Sequence, residues 1–139
     1  MTLCGVSDVP ISVDAHLAAV AHPGAGAVAA FIGRVRDHDP SVTGAVTALE
    51  YTAHPDADAI LARLVATAAA EDGVLGVAAT HRRGLLPVGA IAVVVAVATA
   101  HRTLAFRRCE ELVEVIKKEL PMWKREILAD GSHVWVGLE

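Results

Sequence analysis

The chain has 139 residues, of which 54% are apolar and only 4% are aromatic, and it carries a net charge of −4 at neutral pH. This length predicts one domain over residues 1–139, with a core built mainly from Ala, Val and Leu. The negative net charge argues against bulk attraction to nucleic acid. The longest apolar run, 90–98, is shorter than the about 20 residues that a membrane span needs, so no membrane association is expected.

The cysteines and the first residues bear on cofactors and compartment. Cys4 and Cys109 are too few for a disulfide framework, and the sequence contains no Cys/His spacing typical of metal sites. We therefore expect no metal and no cofactor. Residues 1–5 have no positive charge ahead of an apolar stretch, which argues against a secretory signal. A reducing cytoplasm is the simplest setting.

The first half of the chain predicts two helices among three strands. In chain order we predict a strand over 10–13, a helix over 15–21, strands over 26–35 and 44–52, and a helix over 55–72. Asp14 can cap the first helix, and Pro23 with Gly24 would end it. The second helix has apolar residues at helical spacing and stops at Gly73.

The second half predicts four strands and one long helix. In chain order we predict a strand over 74–82, a connection over 83–89, a buried strand over 90–99, a helix over 103–119, and strands over 123–128 and 133–136. Asp130-Gly131 between the last two strands is a hairpin signal. Residues 37–41 are predicted to form a turn or mobile loop. The element order indicates an α+β fold with helices packed on a sheet.

Basic residues are absent before Arg34 and then occur in small groups, which an acidic chain could use to hold one localised anion. In a continuing strand, Arg34 and Arg36 point to the same face and could bind a phosphate between them, because guanidinium offers a bidentate fork. The alternative is a solvated strand end that pairs with Asp37 or Asp39. For any single basic group, solvated surface charge also remains possible.

The long helix separates two neighbouring lysines. Its apolar stripe consists of Ala105, Cys109, Leu112, Val113, Ile116 and Leu120. At about 100° per residue, Lys117 lies at the edge of that stripe and Lys118 lies in water. Lys117 can therefore present its amine to a cleft, or it can simply be a boundary lysine with a packed aliphatic stem.

Two further groups stand at the ends of predicted elements. His101-Arg102 joins the buried strand to the long helix, whose first turn favours an anion, although a histidine there could be structural. In the last strands, Lys124 and Glu126 share one face and Arg125 takes the other. Cys109 is predicted to be a core residue, and Cys4 lies in a segment predicted to be irregular, so neither thiol is a good candidate for a nucleophile.

Together these segments resemble the molybdopterin synthase catalytic (large) subunit family from Gly26 to Val136. The segments that carry the resemblance are Gly26-Ala27-Val28, Phe31-Ile32-Gly33-Arg34-Val35-Arg36, Leu49-Glu50-Tyr51, His81-Arg82-Arg83-Gly84, Ala100-His101-Arg102, Phe106, and Lys117-Lys118-Glu119-Leu120-Pro121-Met122-Trp123-Lys124-Arg125-Glu126. Each segment alone is weak, but their order and spacing are specific.

The resemblance implies an α/β-hammerhead fold with a mostly antiparallel sheet and a cytoplasmic sulfurtransferase of molybdenum cofactor biosynthesis. It implies transfer of sulfur from the thiocarboxylated Gly-Gly C-terminus of a small ubiquitin-like carrier to cyclic pyranopterin monophosphate, in a heterotetramer built on a homodimer. Lys117 and Lys124 would be the catalytic residues. The substrate would be bound by Arg34, Val35, Arg36, His101, Arg102, Lys117, Lys124, Arg125 and Glu126.

The residues themselves agree with two anionic reactants, because a phosphate and a thiocarboxylate require cationic walls to approach each other. A carrier-borne sulfur would also explain the lack of a reactive cysteine. The alternative function is a non-catalytic α+β module that binds an anion or a partner tail. The pair Lys117 and Lys124 discriminates between the two, since simple binding does not require it.

Overall fold

The computed structural model describes residues 3–40 and 42–136. Its elements, in chain order, are β1 (Cys4–Ser7), α1 (Val13–Ala19), β2 (Ala27–Arg34), β3 (Val46–Ala53), α2 (Ala57–Ala69), β4 (Val74–Arg82), β5 (Gly84–Pro87), β6 (Ile91–Thr99), α3 (Arg102–Glu119), β7 (Met122–Leu128) and β8 (His133–Val136). The strands form two four-stranded sheets.

The first sheet has the strand order β1-β4-β6-β2 and is antiparallel except for the β1–β4 pair. Strand β6 lies in its interior and is covered on both faces. Val95 and Val97 face the main core. Ala96 and Ala98 face the opposite side of the sheet, where they belong to a smaller cluster with Val20, the residue that follows helix α1. This double burial explains why β6 is a continuous apolar run without alternation.

The second sheet has the order β5-β3-β7-β8 and is antiparallel throughout. The register places Lys124 opposite Tyr51 and Glu126 opposite Leu49. Because side chains alternate along a strand, Lys124 and Glu126 project together toward the first sheet, and Arg125 projects away from it.

The helices cover the first sheet and complete the core. Helices α2 and α3 contact each other, α2 packs on β1 and β4, and α3 packs on β2 and β6. The buried residues of α3 are Ala105, Cys109, Leu112, Val113 and Ile116. All five belong to the stripe predicted from helical periodicity, so the orientation of this helix is confirmed.

The predicted α+β class, with mostly antiparallel strands and packed helices, is confirmed, and the strands divide between two sheets. The predicted connection 83–89 contains strand β5, which pairs with β3. The chain changes sheets at Gly84, whose φ of +103° is a conformation that residues with a Cβ rarely adopt. Strand β5 has only four residues and begins at this turn. Its sequence is therefore too short to show a clear alternation of apolar and polar residues.

The N-terminal segment also differs from the prediction. The strand over 10–13 is wrong, since Ser12 instead caps helix α1 by accepting a hydrogen bond of 3.1 Å from the amide of Ala15. The segment around Cys4 is not irregular but forms β1, with Cys4 opposite Ala79 of β4. A parallel edge strand joined to a partner 75 residues later leaves no local signal in the sequence.

Within residues 3–40 and 42–136, no helix is both long enough and apolar enough to cross a bilayer.

Candidate active site

A cavity of about 470 Å³ lies between the two sheets and beneath the C-terminal half of α3. We call it the central cavity. Its floor is apolar and includes Val46, Leu49, Val95, Val113 and Ile116. Polar side chains reach it from the end of β2, the loop after it, β4, α3 and β7. A concave pocket with an apolar floor and several convergent polar groups is typical of small-molecule sites.

Four cationic side chains line the central cavity, namely Arg34, Arg36, Lys117 and Lys124. The arginines come from the end of β2 and the residues after it, where a bulge between Gly33 and Arg34 shifts the register against β6. Among the described residues, neither arginine forms an ion pair with Asp37, so that part of the alternative of a paired strand end is not supported.

The two lysines reach the central cavity from different elements. Lys117 extends from the last turn of α3, and Lys124 from β7, just after Pro121 ends the helix. Lys118 is exposed and lies outside the cavity lining. The helix geometry that separates Lys117 from Lys118 is therefore confirmed, while the catalytic roles of Lys117 and Lys124 stay predictions.

Glu126 provides a carboxyl group inside this cationic wall. The residue is only 1% exposed, and its Oε1 lies 4.0 Å from Nζ of Lys124. Burial raises the pKa of Glu126 to about 7, and a hydrogen bond to the Asp39 side chain and the charge of Asp39 add to the shift. Lys124 and Arg36 oppose it. The carboxyl is thus partly protonated at neutral pH.

Tyr51 and His81 form the neutral end of the cavity lining. Their rings meet edge to face at 5.0 Å. Burial, and then the charge of Glu126, raise the pKa of Tyr51 to about 12, so the phenol keeps its proton. Burial lowers the pKa of His81, although a hydrogen bond to the carbonyl of Arg82 opposes this. His81 Nδ1 lies 2.7 Å from that carbonyl and donates to it, which leaves Nε2 as an acceptor in the neutral ring.

Four predicted substrate-binding residues do not reach this chain's central cavity. His101 and Arg102 are exposed at the N-terminus of α3, the opposite end from Lys117. Arg125 points to the other face of the second sheet, where its guanidinium lies 2.7 Å from Glu50 and stacks near Trp135. Val35 is 2% exposed and packs in the core.

Both cysteines lie away from the cavity lining. Cys109 is buried on α3, with Sγ 3.9 Å from the carbonyl of Val95, and burial raises the pKa of its thiol. Cys4 in β1 is half-buried, and burial, together with the charge of Asp58, raises its pKa as well. Both thiols are therefore protonated at neutral pH and poor nucleophiles, as predicted.

Besides its apolar floor, the cavity lining includes four residues that were not predicted as site residues: His38, Asp39, Tyr51 and His81. Tyr51 and His81 belong to segments that carry the family resemblance, and both sit on strands at positions that face inward. The only signal in the sequence was that a polar or aromatic residue interrupts an otherwise apolar inward face. Asp39 sits in a loop, where no periodicity applies.

The fold and the central cavity define a class of protein: a small α+β domain with a partly open cationic cleft suited to an anionic substrate. It offers two lysines and a partly protonated carboxyl for proton transfer, and no reactive thiol among its lining residues.

Comparison with known proteins identifies the family. The family model described as MoaE protein matches residues 6–119. Molybdopterin synthase catalytic subunit 1 of Mycobacterium tuberculosis is 39% identical over 136 residues, which cover 96% of this chain and 90% of that protein. The crystal structure of molybdopterin synthase from Staphylococcus aureus aligns with a TM-score of 0.86 and 32% identity, over 96% of each chain.

A third likeness shows the fold alone. The complex of subunits 1 and 2 of the molybdopterin-converting factor from Helicobacter pylori contains a chain that aligns with a TM-score of 0.76 at 17% identity, over 96% of this chain and 89% of that one.

The chain belongs to the MoaE family of molybdopterin synthase catalytic subunits, and the predictions of that family and of an enzyme in molybdenum cofactor biosynthesis are confirmed.

Proposed function

We propose that the central cavity transfers sulfur from the thiocarboxylated C-terminus of a small carrier subunit to cyclic pyranopterin monophosphate, and so makes the dithiolene of molybdopterin. One observation supports this most directly: four cations converge on one cavity whose lining contains neither cysteine. Both proposed reactants are anions, and the reactive sulfur would arrive with the carrier.

The cations have separate tasks in this reaction. Arg34 and Arg36, at the end of β2, would bind the phosphate, since a guanidinium pairs with phosphate oxygens through two hydrogen bonds. Lys117 and Lys124 would neutralise the thiocarboxylate and the charge that develops as the sulfur forms its bond to the pterin side chain. Water would then cleave the bond between that sulfur and the carrier's carbonyl carbon and release the carrier as a carboxylate, and a second thiocarboxylate would supply the second sulfur. Either amine could also deliver a proton to the departing oxygen, which requires hydrogen-bond distance in the complex.

The carrier itself is proposed from the chemistry and from a protein of the same fold, which is found in a complex of two subunits of the molybdopterin-converting factor. An extended C-terminal tail without side chains could enter the narrow cleft between the sheets. We further propose that the chain acts as one catalytic domain, in the cytoplasm, and that two copies and two carriers form a heterotetramer.

The exposed pair His101 and Arg102 supports the homodimer. Lys117 lies fifteen positions after Arg102 in α3, which is about 22 Å along the axis at 1.5 Å per residue. Arg102 therefore cannot reach the central cavity of its own chain. If both residues bind substrate, they do so in the cavity of a second copy.

Reconstitution tests the function. Purified protein is mixed with the thiocarboxylated carrier and cyclic pyranopterin monophosphate, and dithiolene product is measured. The same mixture with a carrier ending in an ordinary carboxylate is the control and should give no product. Folded protein that makes no dithiolene from the thiocarboxylated carrier would disprove the proposed reaction.

A further inference from the structure

His81 presents an imidazole ring to the central cavity from strand β4. Its neighbour Thr80 faces helix α1, where the threonine hydroxyl lies 2.7 Å from Nε2 of His16. Because side chains alternate along a strand, His81 takes the opposite face, toward the second sheet. The residue is 7% exposed, so its ring is largely shielded from bulk water.

One hydrogen bond fixes where this ring carries its proton. Nδ1 of His81 lies 2.7 Å from the backbone carbonyl oxygen of Arg82, which can only accept, so Nδ1 is the donor. Burial lowers the pKa of His81, and the ring is therefore neutral at neutral pH, with no proton on Nε2. Among the described residues, Nε2 makes no hydrogen bond. The ring thus offers the cavity a basic nitrogen that can accept a proton.

The ring of His81 is held close to one of the proposed catalytic lysines. It meets the ring of Tyr51 edge to face at a centroid distance of 5.0 Å. Tyr51 in β3 stands opposite Lys124 in β7, and side chains paired in this way have Cβ atoms about 5 Å apart. All three residues line the central cavity. They form a row across its wall in which only Tyr51 separates His81 from Lys124.

The proposed reaction needs a base in this cavity. Once the sulfur has bonded to the pterin, water must attack the carbonyl carbon of the carrier, and this attack is fast only if a base takes a proton from the water. Charged lysines and arginines have no acceptor, and Tyr51 keeps its proton because burial raises its pKa to about 12. Glu126 is partly protonated, and its Oε1 lies 4.0 Å from Nζ of Lys124.

We propose that Nε2 of His81 is the general base for this hydrolysis. It takes one proton from a water molecule, the water oxygen bonds to the carbonyl carbon, and the carbon–sulfur bond breaks. The sulfur leaves as a thiolate on the pterin, the carrier leaves as a carboxylic acid that then ionises, and the proton on His81 passes to solvent. The inference rests on the proposed function and names the residue that releases the carrier.

The tautomer of His81 can be measured without catalysis. Nitrogen NMR spectra of the histidine rings at neutral pH should show His81 as a neutral ring with its proton on Nδ1. The signal is assigned by its absence from the spectrum of His81→Asn. A ring that carries its proton on Nε2, or on both nitrogens, would overturn the inference.

Single-turnover experiments locate the step at which His81 acts. Protein, thiocarboxylated carrier and cyclic pyranopterin monophosphate are mixed and quenched with acid, and mass spectrometry follows the carrier–pterin thioester over time. His81→Asn keeps an N–H group for the carbonyl of Arg82 but has no basic nitrogen. The thioester should form at the wild-type rate and disappear about 100-fold more slowly, as expected when a general base is lost. Disappearance at the wild-type rate, or equal slowing of formation and disappearance, would overturn the inference.

His16→Asn is the matched control, because His16 is also buried but does not line the central cavity. Its ring nitrogens lie 2.7 Å from the carbonyl oxygen of Ser12 and 2.7 Å from the hydroxyl of Thr80. His16→Asn should leave formation and disappearance of the thioester unchanged. If it slows disappearance as much as His81→Asn does, the effect comes from the loss of a buried ring and the inference is wrong.

Two results separate this inference from the proposed function. Wild type that forms neither thioester nor dithiolene would contradict the function itself. Wild type that makes dithiolene, with equally fast hydrolysis of the thioester in His81→Asn, would contradict only the role of His81. Circular dichroism verifies folding; if His81→Asn does not fold, His81→Gln replaces it, since its amide is also non-basic and places a polar group near the position of Nε2.

Discussion

At the scale of single residues, the neighbours Lys117 and Lys118 are a matched pair on one helix. Lys117 lines the central cavity and Lys118 faces solvent. We expect Lys117→Ala to lower kcat by about 100-fold or more, the range seen when a proton-transfer group is lost, and Lys118→Ala to change it little. Steady-state rates of dithiolene formation, with circular dichroism to verify folding, would check this. Equal effects would contradict the placement of Lys117 at the reaction.

Glu126 makes stability depend on pH. Its folded-state pKa of about 7 lies above its ordinary value of 4.5. Its protonated form therefore contributes stability that is fully present below pH 4.5 and is lost as the pH rises through about 7. At 1.36 kcal/mol per unit, the change is at most roughly 3 kcal/mol.

The measurement is urea unfolding of wild type and Glu126→Gln at a series of pH values and one protein concentration. Wild type should lose stability relative to Glu126→Gln as the pH rises from 5 to 8, because the glutamine cannot ionise. Comparing the two variants cancels the opposite effect of His81, whose lowered pKa costs stability as the pH falls. The control is Glu114→Gln, on the exposed face of α3, whose free energy of unfolding should change with pH as that of wild type does. If the free energy of unfolding of Glu126→Gln also changes with pH as that of wild type does, the expectation is wrong.

Some of these residues could be predicted from the sequence and others could not, for a physical reason. Lys117 follows from the 3.6-residue period of α3, and the shared face of Lys124 and Glu126 follows from the two-residue period of β7. Asp39 and His81 reach the same cavity through long-range packing. The loop after β2 has no periodic pattern that would orient Asp39. In the sequence, His81 is only a residue of an apolar strand, and its place in the cavity depends on the second sheet, which packs opposite it.

At the scale of elements, the start of β2 packs closely against the residues that precede α3. A Cβ added at Gly26 would lie 2.6 Å from the backbone carbonyl oxygen of Ala100, a contact that only a shift of the backbone can relieve. We expect Gly26→Ala to lower the free energy of unfolding by about 1–3 kcal/mol, the usual cost of overpacking.

Gly24→Ala is the comparison, since its added Cβ would meet a side-chain atom, Nδ1 of the exposed His22, at 3.2 Å and not a backbone atom. Thermal unfolding should show a clearly larger loss for Gly26→Ala. A loss no greater than that of Gly24→Ala would mean that this junction is not rigid.

The elements themselves were predictable where one period runs over many residues. Helix α3 and strand β6 are long and have unambiguous patterns, so their bounds differ from the prediction by one residue. Strands β1 and β5 have four residues each and exist because of their partners β4 and β3. The division into two sheets depends on the change of direction at Gly84, and a sequence pattern shows that a turn occurs there but not which sheet receives the next strand.

At the scale of the whole molecule, the distance along α3 decides how the active site can be assembled. Lys117 faces the central cavity of its own chain, and Arg102 lies at the far end of the same helix. If Arg102 serves the cavity of a second copy, Lys117→Ala and Arg102→Ala damage the same kind of site from different chains. A mixed dimer then contains one site with both defects and one site with neither.

We therefore expect the two variants, each nearly inactive alone, to regain activity when they are unfolded together and refolded as mixed dimers. Random association of equal amounts leaves about a quarter of all sites intact, which sets the expected rate. Mixing without subunit exchange should restore nothing and is the control. If co-refolded dimers of the two variants also remain inactive, although each variant folds and dimerises, Arg102 does not complete a partner's site.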